Sequence, residues 1–411
     1  MKKIINCRIY LLFIVAMYHT MYAQKALVIV PVADLIGSSI QHFYPHVSIE
    51  DGYKMLPLCG GNTNTYDSCP RVHQLLFNET VTILETRGQE VRVEIPHFFY
   101  ITRLTNNPQC TYWMLKKNLV TFNQLEKQKI DLDKIPNTPS FKNKTINTGN
   151  TATLTMPFTD PTTKQTFSAG TRFVIAPMSD KQSSNIAAFA FDQKSKNLKE
   201  ISIPRTIIIQ QATTHAQQVK QFVDLLEQWA NNKEGFIPYV WGGCSFTHTS
   251  NGTYCQKETM INNSKHSYFH LDDYTRSPKT GMDCANMIGR AAQLCDIPYY
   301  LKNSFTVASC LKPLQKDEKL ERGDIIWING HVMVVSNIEK NMMIEARSCL
   351  SDGQGQLQEI ALNKAFKDIS NYDQLIDICI NKKPLYRIGK KGNVEKRIDS
   401  CKLFKLTSVW Y

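Results

Sequence analysis

The 411-residue chain has no low-complexity tract, no dense run of lysine and arginine, and no apolar stretch long enough to cross a bilayer as a helix. The first absence, with 42% hydrophobic and 20% charged residues, excludes a disordered or fibrous polypeptide. The second excludes an arm that grips nucleic acid by local charge density, and no nucleic-acid partner is expected. The third leaves only the apolar run from Ile9 to Tyr18, preceded by Lys2, Lys3 and Arg8. That layout, ending near Ala23, reads as a signal peptide over residues 1–23, although Met21 stands where a small residue is preferred for cleavage. Acid is also scarce: 36 acidic residues face 48 basic ones, for a net charge of +12. Three of those charges lie in the leader, which holds no acid, so the remainder carries +9. A surplus scattered in this way favours an anionic polymer or surface as partner.

Cysteine is not scarce. Of twelve, eleven lie beyond the leader. In an oxidising compartment Cys59 with Cys69, and Cys244 with Cys255, are close enough in sequence to pair. The odd total leaves at least one thiol unpaired within the chain. Membrane association is expected only if the leader is retained, and the oligomeric state is open.

From residue 24 to about 130, short apolar runs ("KALVIVPVADL", "TVTILETRG", "VRVEI", "CTYWML") read as strands around a loop, "CGGNTNTYDSCP". A second β-rich stretch covers 145–205 with "ATLTMPFT", "GTRFVIAPM" and "NIAAFAFD", after a Pro/Asn/Lys-rich linker "KIPNTPSFKNKTINTGN". After 206 the period changes. "HAQQVKQFVDLLEQWANN" sets Val219, Phe222, Leu225, Leu226 and Trp229 on one helical face. A polar insertion at 244–280 and the stretch "TGMDCANMIGRAAQLC" follow, then apolar strands "DIIWI", "HVMVVSNI" and "NMMIEA". Beyond about 362 no motif is legible, and the basic "KKPLYRIGKKGNVEKR" reads most simply as a solvated face.

Cys284 stands in the first turn of a predicted helix, where free backbone N–H groups and the helix dipole favour a thiolate and an oxyanion. Asp283 beside it opposes a second negative charge and fits better as a contact for a substrate cation. His331 opens a strand after a glycine turn and is the candidate base. Glu345, the one carboxylate of the next apolar strand, is the candidate for orienting it. Alone, each has a plainer reading: a core thiol, a structural histidine, a solvent-facing acid. The order of the three, a helix and then two successive strands, is what favours a cysteine hydrolase. His266 and His270 in "HSYFHLDD" have helical metal-ligand spacing with Asp272 nearby, but without apolar support for a helix a surface loop is favoured. No metal and no cofactor is expected.

The motifs "YVWGG" (239–243), "DCAN" (283–286), "LERGDIIWI" (320–328) and "GHVMVV" (330–335) resemble, in their order, the NlpC-type cysteine peptidases of bacterial cell walls. The resemblance covers about 206–360. It implies an α+β architecture, with a C-terminal papain-like catalytic domain over 206–411 that carries the 244–280 insertion. The segment around "CPRVHQLLFNETVTIL" is similar to bacterial SH3-like modules, so two small all-β SH3-like barrels, 24–130 and 145–205, are expected ahead of it. The resemblance further implies cleavage of peptidoglycan stem peptides, usually between D-glutamate and a diamino acid such as meso-diaminopimelate, in the periplasm or outside the cell. Cys284 then matches the nucleophile and His331 the base, while Glu345 falls where the family has a His or another polar residue. Tyr239 matches a tyrosine lining the site, Asp283 an acid that holds a free N-terminal amine, and Ser304 a site-lining serine. Two departures stand out: "DCAN" replaces the usual "DCSG", and the first module lacks a tryptophan near "GQEVRV". The β modules are expected to narrow the cleft; an exposed aromatic patch around "HFFYITRL" would instead indicate binding.

Overall fold

The computed structural model describes residues 23–59, 71–95, 110–137, 150–177, 183–261, 264–273, 277–298, 303–348, 355–389 and 392–411. The leader, the "CGGNTNTYDSCP" loop beyond Cys59, the "HFFYITRL" segment and most of the Pro/Asn/Lys-rich linker lie outside them. Among the described residues no helix is long and apolar enough to cross a membrane.

The chain is mixed α/β with antiparallel sheets. Pro31, which has no amide donor, divides "KALVIVPVADL" into two strands, Gln24–Val28 and Val32–Leu35. The first joins a five-stranded sheet in the order Thr111–Leu115, Glu90–Glu94, Thr80–Arg87, Gln24–Val28, Leu119–Thr121. The second pairs with His73–Leu76, and every residue of that pair is buried. Residues 151–204 form a four-stranded sheet whose longest pair is Asn185–Asp192 with Asn197–Pro204. These two β regions pack against each other through one core. Leu27, Phe77 and Val120 from the first pack with Phe167, Phe173 and Phe191 from the second. Phe167 meets Phe77 and Phe173 edge-on, at centroid distances of 4.9 and 5.0 Å.

The rest of the chain is built on a six-stranded sheet ordered Lys312–Pro313, Cys401–Lys405, Ile325–Ile328, His331–Asn337, Met342–Arg347, Gln356–Ala361. Strand alternation sends Val332, Val334, Ile344 and Ala346 to one face, against helices His215–Ala230 and Cys284–Leu294. Phe222, Val223, Leu225, Leu226 and Trp229 of the first helix are buried there, each contributing about 2 kcal/mol by burial. Met333, Val335 and Met343 face the other way, into a second core closed by residues 362–403. That cover consists of helices Leu362–Ala365 and Tyr372–Ile380 and the hairpin Leu385–Ile388/Val394–Ile398. The C-terminal stretch is therefore a structural layer: Leu385 and Arg387 of the basic segment are buried, while Lys382, Lys383 and Lys396 stay exposed. It supplies the second strand of the sheet, and a disulfide joins Cys379 to Cys401.

The Cys244–Cys255 pairing is overturned: neither residue is joined in a disulfide, Cys244 being buried and Cys255 exposed. Cys244 sits in a short strand paired with Gly281–Met282, while Cys255 pairs with His270 in a separate hairpin. Cys59 is disulfide-bonded, and Cys69 lies outside the described residues. The insertion forms that hairpin, Tyr254–Ile261 with Ser264–Leu271, so His266 and His270 stand in a strand, neither on a helix nor in the surface loop favoured from the sequence.

Candidate active site

Strand Gly281–Met282 brings the chain to the start of the Cys284–Leu294 helix. Asp283 is extended there (φ −91°, ψ 173°) and caps the helix. Its Oδ1 accepts from the Ala285 and Asn286 amides at 3.1 and 2.7 Å. Its Oδ2 accepts from the Gly242 amide at 3.1 Å and from Asn286 Nδ2 at 3.0 Å. Both oxygens are thus engaged within the chain. Two of the first-turn N–H groups expected to serve an oxyanion, those of Ala285 and Asn286, are already bonded to this cap.

The "YVWGG" turn wraps the same helix end. Val240 N donates to Met282 O at 3.3 Å, and Asp283 N donates to Gly243 O at 3.1 Å. Gly242 has φ +69°, and a Cβ there would stand 2.3 Å from the Arg71 carbonyl oxygen, so only glycine admits the N-terminal β region this close. Asn286, the departure from "DCSG", is a bracket. Its Nδ2 donates to Gly243 O at 2.9 Å, and its Oδ1 lies 3.3 Å from His73 Nδ1 of the N-terminal region. It occupies space that a second chain segment fills, away from solvent.

His331 follows the Asn329–Gly330 turn, where Gly330 has φ +88°, and pairs with Ile328 at the strand end. Antiparallel pairing of Val334 with Ile344 and Val335 with Met343 returns Glu345 to the same end. His331 Nε2 lies 3.0 Å from Glu345 Oε2. A side-chain hydrogen bond joins His331 to Cys284, for which Nδ1 is the ring nitrogen left. Burial alone would lower the His331 pKa, but the Cys284 thiolate, and then the Glu345 carboxylate, raise it to about 9. Glu345 is fully buried. Burial would raise its pKa, yet Arg387 foremost, then His331 and Gln358, hold it well below the usual carboxylate range. Gln358 Nε2 donates to Glu345 Oε1 at 3.0 Å, and Arg387 Nη2 donates to the same oxygen. Cys295, at the other end of the Cys284 helix, is a contrast: burial pushes its thiol far up, which suits a core residue.

The remaining predicted residues lie around this centre. Tyr239 is buried, bridges in parallel to Met282, and donates its amide to Gly355 O at 2.6 Å. Ser304 opens the short helix Ser304–Ser309, and its carbonyl accepts from Trp327 Nε1 at 2.9 Å. The residues that sequence reasoning missed are Arg387, Gln358 and Asn286. Arg387 is buried inside the basic stretch read as a solvated face. The available signal was its strand parity with Leu385, which is also buried. Among the described residues, no group of three or more His, Cys, Asp or Glu side chains is placed to hold a metal ion.

No protein-family model matches the sequence, and no curated protein matches it. Among solved structures, the chain is similar to an NlpC/P60 family protein from Bacillus cereus ATCC 10987, at 14% identity over 82% of this chain and 94% of that one, TM-score 0.48. It is also similar to an NlpC/P60 endopeptidase from Photobacterium damselae subsp. piscicida, at 9% identity over 94% of this chain and 74% of that one, TM-score 0.44. A third is the peptidoglycan hydrolase RipB from Mycobacterium tuberculosis, at 16% identity over 49% of this chain and 74% of that one, TM-score 0.22. Likeness at this level carries no argument about activity. The first two of these solved structures are thus proteins of the NlpC/P60 family, the one that the four motifs resemble.

Proposed function

We propose that the chain is an exported cysteine peptidase of the NlpC type that hydrolyses amide bonds in peptidoglycan stem peptides. The observation that carries this reading is the continuous contact from Cys284 at a helix start, through His331, to the buried Glu345. Cys284 Sγ attacks the amide carbonyl, and the proton held on His331 passes to the leaving amine. Water then attacks the thioester with His331 as base, which releases the acid and restores the thiol. Glu345 fixes the imidazole tautomer, and the Cys284 amide faces the developing oxyanion. These steps call on no metal and no organic cofactor.

Within stem peptides, the bond between the D-glutamate side-chain carboxyl and a diamino acid such as meso-diaminopimelate is assigned from the motif resemblance. Tyr239 and Ser304 are assigned to the walls of the site. The two N-terminal β regions are assigned as SH3-like modules that cover one side of the cleft, and the surplus positive charge serves adhesion to an anionic wall. Asp283, with four hydrogen bonds inside the chain, supports a capping role more than capture of a substrate amine. That occupancy favours one alternative, an amidase or acyltransferase of the same fold acting on another substrate.

The test is mass spectrometry of purified stem peptides incubated with the protein and with Cys284→Ala. A fragment pair split after D-glutamate, absent with the variant, supports the reading. Amine adducts without hydrolysis point to the acyltransferase. No product from either folded protein, with Cys284 inert to iodoacetamide, leaves a wall-binding protein without catalysis.

A further inference from the structure

We infer that Arg387 is the positioning residue of the Cys284–His331–Glu345 set: a buried cation, delivered by the C-terminal layer, that keeps Glu345 ionised and aimed at His331. The inference rests on the catalytic reading of Cys284 given above.

The two oxygens of Glu345 have separate tasks. Oε2 faces His331, whereas Oε1 accepts from Arg387 and Gln358. Arg387 is itself held on three sides. Its Nη2 is on Glu345, its Nη1 lies 3.9 Å from Met333 Sδ, and its guanidinium sits 5.2 Å over the Phe366 ring. Stacking on Phe366 fixes the plane of the fork, which a flexible ammonium would not provide.

Charge balance gives the reason for a cation here. A thiolate on Cys284, an imidazolium on His331 and a carboxylate on Glu345 sum to one negative charge inside the protein, and Arg387 cancels it. The neighbouring charges are already committed. Arg347, two residues along the Glu345 strand, pairs with Glu395 at 2.6 Å. Glu359 on the adjacent strand accepts from Ser336 at 2.6 Å and Asn231 at 2.8 Å. A buried carboxylate deprived of its cation takes up a proton at higher pH. Once protonated, Glu345 no longer supports the His331 imidazolium, and the thiolate paired with it is lost.

The test reads Cys284 directly and needs no substrate. The full-length protein, Cys379–Cys401 disulfide intact, is alkylated with iodoacetamide from about pH 3 to about pH 10, and the Cys284 peptide is quantified by mass spectrometry. Arg387→Met, Arg387→Lys and His331→Ala are compared with the parent, each checked for folding by circular dichroism. The expected result is fast parent alkylation with an acid limb where Glu345 takes up its proton. In Arg387→Met the acid limb moves up by about one pH unit or more, an about tenfold loss of rate at the acid end, and Arg387→Lys keeps most of the parent profile. A purely structural arginine lowers the melting temperature without moving this limb.

An unmoved limb in folded Arg387→Met overturns the proposal. If that variant does not fold, Arg387→Gln takes its place, and an unmoved limb in that folded protein overturns the proposal. Parent and His331→Ala profiles that coincide refute the catalytic reading itself, a different failure from that of Arg387.

Discussion

Replacing Arg290 with methionine tests whether the N-terminal β region belongs to the catalytic body or is an appendage to it. Arg290 lies in the Cys284 helix and is 2% exposed, and its partner Glu79, from the first β region, is 4% exposed. The guanidinium is bonded on several sides. Nη1 meets Glu79 Oε1 at 2.7 Å and Gln293 Oε1 at 2.7 Å, Nε donates to Cys244 O at 3.2 Å, and Nη2 to Gln74 O at 3.3 Å. Gly170 of the second β region approaches so closely that a Cβ there would stand 2.7 Å from Arg290 Cδ. Arg290→Met takes one cation from the buried Glu79 carboxylate. Breaking one side of a buried pair costs about 3–5 kcal/mol. An exposed pair such as Lys54–Asp51 contributes far less, because solvent screens it. Against a typical stability of about 5–15 kcal/mol, the single variant is left marginal. Glu79→Met together with Arg290→Met removes both charges and restores apolar volume, so the double variant is expected within about 1–2 kcal/mol of the parent. Urea denaturation followed by tryptophan fluorescence measures all four proteins, with Trp229 and Trp241 placed to report. A single variant within about 1 kcal/mol of the parent, or a double variant that costs the sum of both singles, refutes the argument.

Three further outcomes follow from the same geometry. Glu345→Gln keeps the shape but removes the charge facing His331 and Arg387, and kcat is expected to fall about 10³–10⁴-fold with KM little changed; a loss under about tenfold in steady-state assays counts against the triad. His331 has a raised pKa in the folded state, so its contribution to stability is full below the ordinary value of about 6.5 and is lost as pH rises through about 9. Cys284→Ala removes the strongest partner that raises it, so urea midpoints of variant and parent should converge with rising pH; curves parallel from about pH 6 to about pH 10 refute the coupling. Asp283→Ala strips the acceptor from the Ala285, Asn286 and Gly242 amides and is expected to cost about 1–2 kcal/mol while slowing Cys284 alkylation; unchanged stability and reactivity would sink the capping assignment.

What the sequence made legible is what is local in the chain. The His215–Ala230 helix follows from the spacing of Val219, Phe222, Leu225, Leu226 and Trp229, and the strands that carry His331 and Glu345 follow from short apolar runs beside turns. What it hid is pairing across distance. Arg290 meets Glu79 from 211 residues away, Asn286 meets His73 from 213, and Arg387 meets Glu345 from 42. No periodicity encodes such contacts, because each is set by how the layers stack and not by the residues beside it. The same holds between the two β regions, where Phe77 and Phe167 pack ring against ring with no local pattern to announce it. Charge conservation was the one long-range constraint available. An acid in an otherwise apolar strand, next to a histidine that must itself become cationic beside a thiolate, leaves a buried site one positive charge short. That deficit demands another buried cation on a strand facing the same way. In "LYRI" the alternation sets Arg387 on the face of Leu385, turned toward the core, which distinguishes it from the lysines around it. Parity and charge balance together identify Arg387, where the basic composition of the stretch alone suggests only solvent.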